Sequence, residues 1–265
     1  MKQSLSAIIF YLLSFSAIAN DFAATRAKLE IAVNSDIRTK KEKLRDANRK
    51  PIETLEFFGL RDDMKLVEII PGSGWYTKIL VPILHEKGEY IASMNANRVR
   101  DQILSLPGFE RGRVVEEEAR YWRENGDPFL TTDIKTLNIE NADMVLTFRN
   151  YGNFNAIGRK DINQEVFTIL KPGGIYGVVN HTSRHMEPPS HSNSRRFDPV
   201  LAIKEIIDAG FEFVDFTDLH YRPVDDLTKE VGNKQVSGKT DRWTLKFRKP
   251  LTTLSPAEKT PQKQQ

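Results

Sequence analysis

Two groups of residues in this chain have types and spacings suited to chemistry. The first is Glu68-Ile69-Ile70-Pro71-Gly72-Ser73-Gly74. It follows the apolar Leu66-Val67 and precedes Trp75-Tyr76-Thr77, so it reads as a short strand, a glycine-bearing turn and the first turn of a helix. Gly72 and Gly74 can take positive φ and lack a Cβ, so the backbone can approach a nucleoside-like ligand at the strand's carboxyl end. Glu68 is placed to reach a ligand hydroxyl or the following loop. A plain strand-to-helix turn would look the same. The second group follows later apolar runs: Arg149, Asn150 and Tyr151 come after Phe148, and His181 comes soon after Val179. Arginine in such a place anchors an anion, and histidine can hold or relay a proton. His181, His185 and His191 share a Pro- and Ser-rich stretch without a suitably spaced carboxylate, so no metal site is expected.

A further set of arginines lies in the polar stretch Asp36 to Arg49. The spacing predicts one helix there, capped by Ser35 or Asp36, with Arg38, Arg45 and Arg49 on one face. A solvated, ion-paired surface is the expected role. The sharper alternative is a lid that presents arginine to a cleft, where Arg49 would join Arg149 and Arg196 at the substrate.

Around these residues the chain alternates strands and helices. Pro51 starts a helix with Ile52, Leu55 and Phe58 inward and Gly59 as its stop. Tyr76 to Leu84 is helical, Tyr90 to Ser93 is a strand, and Val99 to Leu106 is a short helix. Gly108 to Asp133 has no clean period and leaves the third strand unplaced. Ala142 to Phe148 reads as a buried strand and Asp161 to Leu170 as an amphipathic helix. Lys171-Pro172-Gly173-Gly174 closes that helix, and Ile175 to Val179 is a strand. Asp198-Pro199 opens a helix carrying Val200, Ile203, Ile206 and Ile207, with Gly210 as its stop. Phe211 to Phe216 and Trp243 to Phe247 are the last strands. This order predicts an α/β fold: a Rossmann-like, mostly parallel seven-stranded sheet, helices on both faces, and an antiparallel strand pair at one edge.

The ends read differently. Met1-Lys2, the apolar Leu5 to Ala17 and the small-x-small Ala17-Ile18-Ala19 predict a signal peptide over 1–19, with an N-terminal extension over 20–35. The main domain then spans 36–250, and 251–265 is a Pro/Thr/Lys/Gln-rich tail expected to be disordered. The chain has no cysteine, which excludes disulfides, thiolate metal sites and a cysteine nucleophile. Its formal charge of +3 in 265 residues gives no general argument for nucleic acid. The expected location is periplasmic or secreted, with no membrane span left after cleavage.

The ordered set of motifs resembles the class I S-adenosylmethionine-dependent methyltransferases. Val67 to Gly74 is similar to that family's first motif, Asp143 to Phe148 to its fourth strand, and Leu170 to Gly174 to its turn before strand five. Arg-Asp-x-x-Arg-Lys-Pro, Glu-x-x-Pro-Gly-x-Gly-Trp-Tyr-Thr, Thr-Phe-Arg-Asn-Tyr and Gly-Lys-Thr-Asp-Arg look more narrowly like a group of exported bacterial methyltransferases. The resemblance implies S-adenosylmethionine as cofactor, held by Glu68, Pro71, Gly72, Gly74, Tyr76, Asn95 and Asp133. Two departures stand out. Ile70 replaces the first glycine of the motif, and Met94-Asn95 replaces the acidic residue that holds the ribose hydroxyls in the family.

The function this implies is methyl transfer to a small-molecule acceptor, with His181, Asn150 and Tyr151 as catalytic candidates and Arg49, Arg149 and Arg196 as substrate ligands. The sulfonium methyl is already activated, so the protein must chiefly align the acceptor and exclude water. Cytoplasmic synthesis of the donor sits awkwardly with export. The alternative is a catalytically silent protein of this fold that binds another ligand or an envelope partner. A nicotinamide-dependent oxidoreductase is a weaker reading, because the full GxGxxG spacing is missing.

Overall fold

The computed structural model describes residues 22–251. The expected leader, and all but the first residue of the expected tail, lie outside the described residues. Residues 22–34 form a helix, α1. Its Leu29 and Ala32 are buried in a cluster with Leu55, Phe58 and Leu66. The described part of the stretch expected as an extension is thus a helix that packs on the core through Leu29 and Ala32.

Three short helices follow: α2 (Lys40–Lys43), α3 (Asp46–Arg49) and α4 (Pro51–Phe58). The single helix expected over Asp36 to Arg49 is broken. Thr39, rather than Ser35 or Asp36, caps α2 through a reciprocal box with Glu42. Lys50 is left-handed at φ 39°, where Pro51 at the first position of α4 disfavours a helical predecessor. Gly59, at φ 79°, stops α4 as expected.

The remaining elements are β1 (Lys65–Ile69), α5 (Thr77–Leu84), β2 (Glu89–Ser93), α6 (Asn97–Gln102), β3 (Gly112–Val114), β4 (Glu118–Trp122), β5 (Thr131–Thr136), β6 (Ala142–Phe148), α7 (Ala156–Ile169), β7 (Leu170–Thr182), β8 (Arg196–Phe197), α8 (Pro199–Asp208), β9 (Glu212–Thr217) and β10 (Arg242–Arg248). The main sheet runs β3-β2-β1-β6-β7-β10-β9, with the two-residue β8 beside β7. β10 is antiparallel to both of its neighbours. The expected architecture is present, with β8 as an addition. The segment without a clean period splits in two: β3 pairs with β2, and β4 and β5 form a separate antiparallel pair.

Adjacent residues of the central strands feed opposite faces, as the strand period of two requires. Leu66 and Met144 pack in the cluster beneath α1, α4, α5 and α6, whereas Val67 and Val145 pack in the cluster beneath α7 and α8. This two-sided burial explains the near-continuous apolar runs of β1 and β6. α7 begins at Ala156, ahead of the expected Asp161, and is capped by Asn155, which accepts the Gly158 N–H. α8 buries Ala202 and Ile206 but leaves Val200 52% and Ile207 45% exposed, so two residues of its expected stripe face outward. Among the described residues no helix is long and apolar enough to cross a membrane.

β1 lies between β2 on one side and β6 on the other. The chain first builds outward through β2 and β3, then returns to the opposite side of β1. Such a reversal opens a crevice at the carboxyl ends of β1 and β6, where open α/β sheets bind ligands.

Candidate functional site

The backbone turns sharply as it leaves each strand at this crevice. Ile70 after β1, Met94 and Asn95 after β2, and Arg149 after β6 are all left-handed, with φ between 56° and 67°. Each costs about 1–2 kcal/mol in a non-glycine residue, and most for a β-branched one. Strain of this kind persists only where surrounding contacts impose it. For Ile70 those contacts are visible: its N–H donates to the Ser93 carbonyl at 2.9 Å, and its carbonyl accepts from Asn150 Nδ2 at 3.0 Å. The departure at Ile70 thus keeps a backbone that glycine would adopt freely.

The two glycines of the turn serve different purposes. A Cβ on Gly74 would lie 2.9 Å from Ile103 Cγ1 and 3.3 Å from Val99 Cγ2, so Gly74 allows the turn to pack against α6. A Cβ on Gly72 would meet nothing within 4 Å. Gly72 faces open space in a cleft of about 130 Å³ that also takes in Glu68, Pro71, Tyr76 and Arg49.

Glu68 is 3% exposed. Its Oε2 accepts from the Tyr90 hydroxyl at 2.6 Å and the Thr77 hydroxyl at 2.9 Å. Burial pushes the carboxyl up to about 7, against the pull of those hydroxyls and of the Arg49 charge. Tyr76 stacks on Phe148 with ring centroids 3.6 Å apart and meets Trp75 edge-on at 4.7 Å. Its hydroxyl donates to the Arg49 carbonyl at 3.4 Å, and burial raises its pKa to about 12, so it stays protonated.

At the end of β2 a carboxylate from elsewhere in the chain meets the backbone. Glu117, between β3 and β4, accepts from the N–H groups of Met94 at 3.1 Å and Asn95 at 3.3 Å, and from the Tyr121 hydroxyl at 2.9 Å. Asn95 is exposed beside it, its own N–H committed to Glu117.

A second cavity, of about 300 Å³, shares Phe148, Arg149 and Asn150 with the first. Arg45, Arg149 and Arg242 line it, and no lining residue is a carboxylate. Arg242 is 4% exposed; it donates from Nη1 to the Asn48 carbonyl at 3.1 Å, and its Nε has no partner. Arg49, in the first cleft, lies over the Trp75 ring at 4.2 Å, with its Nε buried and unpartnered. Burial and then the neighbouring Arg149 charge lower Arg49 to about 9 and Arg242 to about 10. The polar segment expected to be a solvated surface is therefore part of the site. Arg38 pairs with Asp46 and lies over the same Trp75 ring at 4.7 Å.

His181 also lines the second cavity. It is 6% exposed, with Nδ1 2.9 Å from the Thr240 hydroxyl. Burial, followed by the charges of Arg242, Arg149 and Arg196, holds it well below its ordinary pKa, so it is neutral. Asn150 spans both cavities and ties the end of β6 to the turn after β1.

Four expected residues do not join this arrangement: Asn95, exposed beside Glu117, lines neither cavity, and three others are held elsewhere. The Tyr151 hydroxyl donates to Glu205 at 2.8 Å and accepts from Asn163 at 3.0 Å, because a short 3-10 turn over Tyr151–Asn153 swings the ring in among α7 and α8. Arg196 is fully buried and bidentate to Asp225, at 2.9 and 3.0 Å, which anchors the long β9–β10 connection. Asp133 lies on β5, paired with Lys135 at 2.8 Å and Arg120 at 2.5 Å, and lines neither cavity. Asp198 caps α8 through the Val200 N–H and binds His185, and His191 meets the Gly126 carbonyl.

Sequence reasoning assigned no role to Glu117, Thr240 or Arg242. For the last two a signal was present, since Gly238-Lys239-Thr240-Asp241-Arg242 is a compact run of loop and charged residues just before the final strand. For Glu117 the acidic triplet was visible, but nothing local ties it to β2.

No protein-family model matches the chain, and no curated protein matches it. Solved structures do. A SAM-dependent methyltransferase from Aquifex aeolicus is 16% identical, over 77% of this chain and 92% of its own, with a TM-score of 0.53. The glycopeptide N-methyltransferase MtfA is 14% identical, over 80% and 99%, with a TM-score of 0.50. The cyclase SpnF is 16% identical, over 83% and 86%, also with a TM-score of 0.50. At such identities the likeness establishes a shared fold, the Rossmann-like methyltransferase fold, and SpnF shows that this fold also carries other chemistry.

Proposed function

We propose that this protein is an S-adenosylmethionine-dependent methyltransferase acting on a small molecule. The observation that supports it most is the open space above Gly72, at the carboxyl end of β1, between a buried carboxylate and a group of unpaired arginines. A Cβ would enter that space, so the turn is shaped for a ligand to approach the backbone. The residues present suit the donor's chemistry. Glu68 offers a carboxylate that becomes fully ionised beside a cation, and Arg49 offers an unpaired guanidinium for a carboxylate. Glu117, bonded to the backbone at the end of β2, would be the acid nearest a ribose bound there.

When bound, the donor supplies an electrophilic methyl group on sulfur. The chain's own part is to orient the acceptor and keep water out. The Tyr76–Phe148 stack forms an apolar wall between the cavities, and Asn150 fixes the spacing between them. His181 can hold a proton on one ring nitrogen while Thr240 serves the other, since a hydroxyl can donate or accept. An imidazolium formed among these arginines is unfavourable, so His181 is a weak base. That suits an acceptor that arrives already ionised.

Calorimetry of the purified protein with S-adenosylhomocysteine tests the proposal. Saturable 1:1 binding that is lost in Gly72→Val supports it. No heat and no thermal stabilisation at millimolar ligand would leave the fold with another ligand or partner. We also propose that residues 1–19 direct the protein out of the cytoplasm.

A further inference from the structure

The arginines around the second cavity carry more positive charge than a methyl donor can answer. The donor brings one carboxylate, for which Arg49 in the first cleft is the nearest match. Arg45, Arg149 and Arg242 remain, each without a carboxylate among the described residues. Three nearby arginines are neutralised, Arg38 by Asp46, Arg195 by Glu230 and Arg196 by Asp225. Arg222, outside the cavity lining, shares the Asn48 carbonyl with Arg242 and has only backbone carbonyls as side-chain partners.

The fold also works to keep these charges there. Arg242 is almost wholly buried, yet its side chain reaches only the Asn48 carbonyl, and its Nε has no partner. A buried unpaired charge is strongly destabilising, and an anion in the cavity would offset that cost. Gly238, at φ 85°, also lines the cavity, and the Arg45 guanidinium lies against it in the space a Cβ would take. Arg149 carries its own strain at φ 67°. The three guanidinium groups come from three separate elements: the link between α2 and α3, the end of β6 and the start of β10. Such a surround matches the three peripheral oxygens of a tetrahedral group better than the two coplanar oxygens of a carboxylate.

We propose that the second cavity binds a phosphoryl-type dianion, and that the methyl acceptor is therefore a small phosphorylated molecule. The second half of this statement rests on the methyltransferase reading; the first half does not. The phosphoryl group is the handle held by Arg45, Arg149 and Arg242. The acceptor's remaining atoms then extend along Asn150 and Phe148 towards the first cleft.

The test is calorimetry and thermal shift of the purified protein with inorganic phosphate, succinate and acetate at matched ionic strength. Phosphate should bind with a submillimolar Kd, at least tenfold tighter than succinate, and acetate should do nothing. Arg149→Met and Arg45→Met should each weaken phosphate at least tenfold, and the exposed Arg123→Gln should leave it unchanged. Arg242→Met should weaken phosphate yet melt higher than the parent when no anion is present, a direction that a purely structural arginine would not give. Should Arg242→Met fail to fold, the half-buried Arg45 carries the test. Succinate binding as tightly as phosphate would overturn the phosphoryl assignment, and so would equal responses to all three anions or variants that bind normally. Phosphate binding without S-adenosylhomocysteine binding would uphold the anion cavity and remove methyl transfer; the converse would remove the anion cavity alone.

Discussion

Replacing Glu68 with glutamine should make the protein's stability less sensitive to pH, and the size of the effect follows from its burial. The folded carboxyl titrates at about 7 rather than 4.5. Between those values the folded chain holds a proton that the unfolded chain has released. Stability therefore falls as pH rises through this window, by about 3 kcal/mol once complete, since each pKa unit is worth about 1.4 kcal/mol. In Glu68→Gln the side-chain carbonyl oxygen can still accept from the Tyr90 and Thr77 hydroxyls, so the variant keeps the native hydrogen bonds without the ionisation penalty. Urea unfolding at intervals from pH 4.5 to 8.5 isolates this effect, because every other titrating group cancels in the difference between variant and parent. Near pH 4.5 the two proteins should be about equally stable. By pH 8 the variant should be more stable by about 2–3 kcal/mol. A difference that stays flat within about 0.5 kcal/mol would refute the reasoning and mean that Glu68 is ionised at no cost. With ligand the sign reverses: a cationic donor should drive a proton off the parent Glu68 on binding, seen as a buffer-dependent heat that the glutamine variant lacks.

The other predictions follow from particular contacts. Gly74→Ala should lose about 2–4 kcal/mol in urea unfolding, combining left-handed strain with the clash at Ile103, whereas Gly72→Ala should lose only about 1 kcal/mol and chiefly weaken ligand binding. His220, held near 4 by burial, stays neutral in the fold while the unfolded chain takes up a proton below about 6.5. Its stability contribution is complete above that pH and falls by about 3 kcal/mol towards pH 4, so His220→Gln should remove most of that slope in acid titrations followed by circular dichroism. Asp225→Ala should cost about 3–5 kcal/mol by stranding Arg196, and the double replacement Arg196→Met with Asp225→Leu should recover most of it in chemical denaturation. A fusion of residues 1–30 to a reporter active only outside the cytoplasm should give signal; silence would count against export.

Features whose causes lie within a few residues are written into the chain itself. Apolar runs mark β1, β6 and the middle of β7, which extends back through the expected turn to Leu170; Pro51 and Gly59 bound α4, and the spacing of Gly72 and Gly74 marks a turn suited to a ligand. These signals are local because helix and turn preferences act over about four residues. Where local signals compete, periodicity misleads: Thr39 and Glu42 form a capping box that splits a helix expected to be continuous. Burial and pairing emerge only when distant segments pack. Arg196 and Arg242 are similarly buried arginines near strand ends, yet Asp225 neutralises one while the other keeps an unpartnered Nε. Tyr151 leaves the site because Glu205, on α8, draws its hydroxyl inward. Glu117 reaches the end of β2 because the sheet places β3 beside β2. Each outcome depends on which distant residue shares a low-dielectric pocket, and the energy of a charge there is set by that partner rather than by its neighbours in sequence.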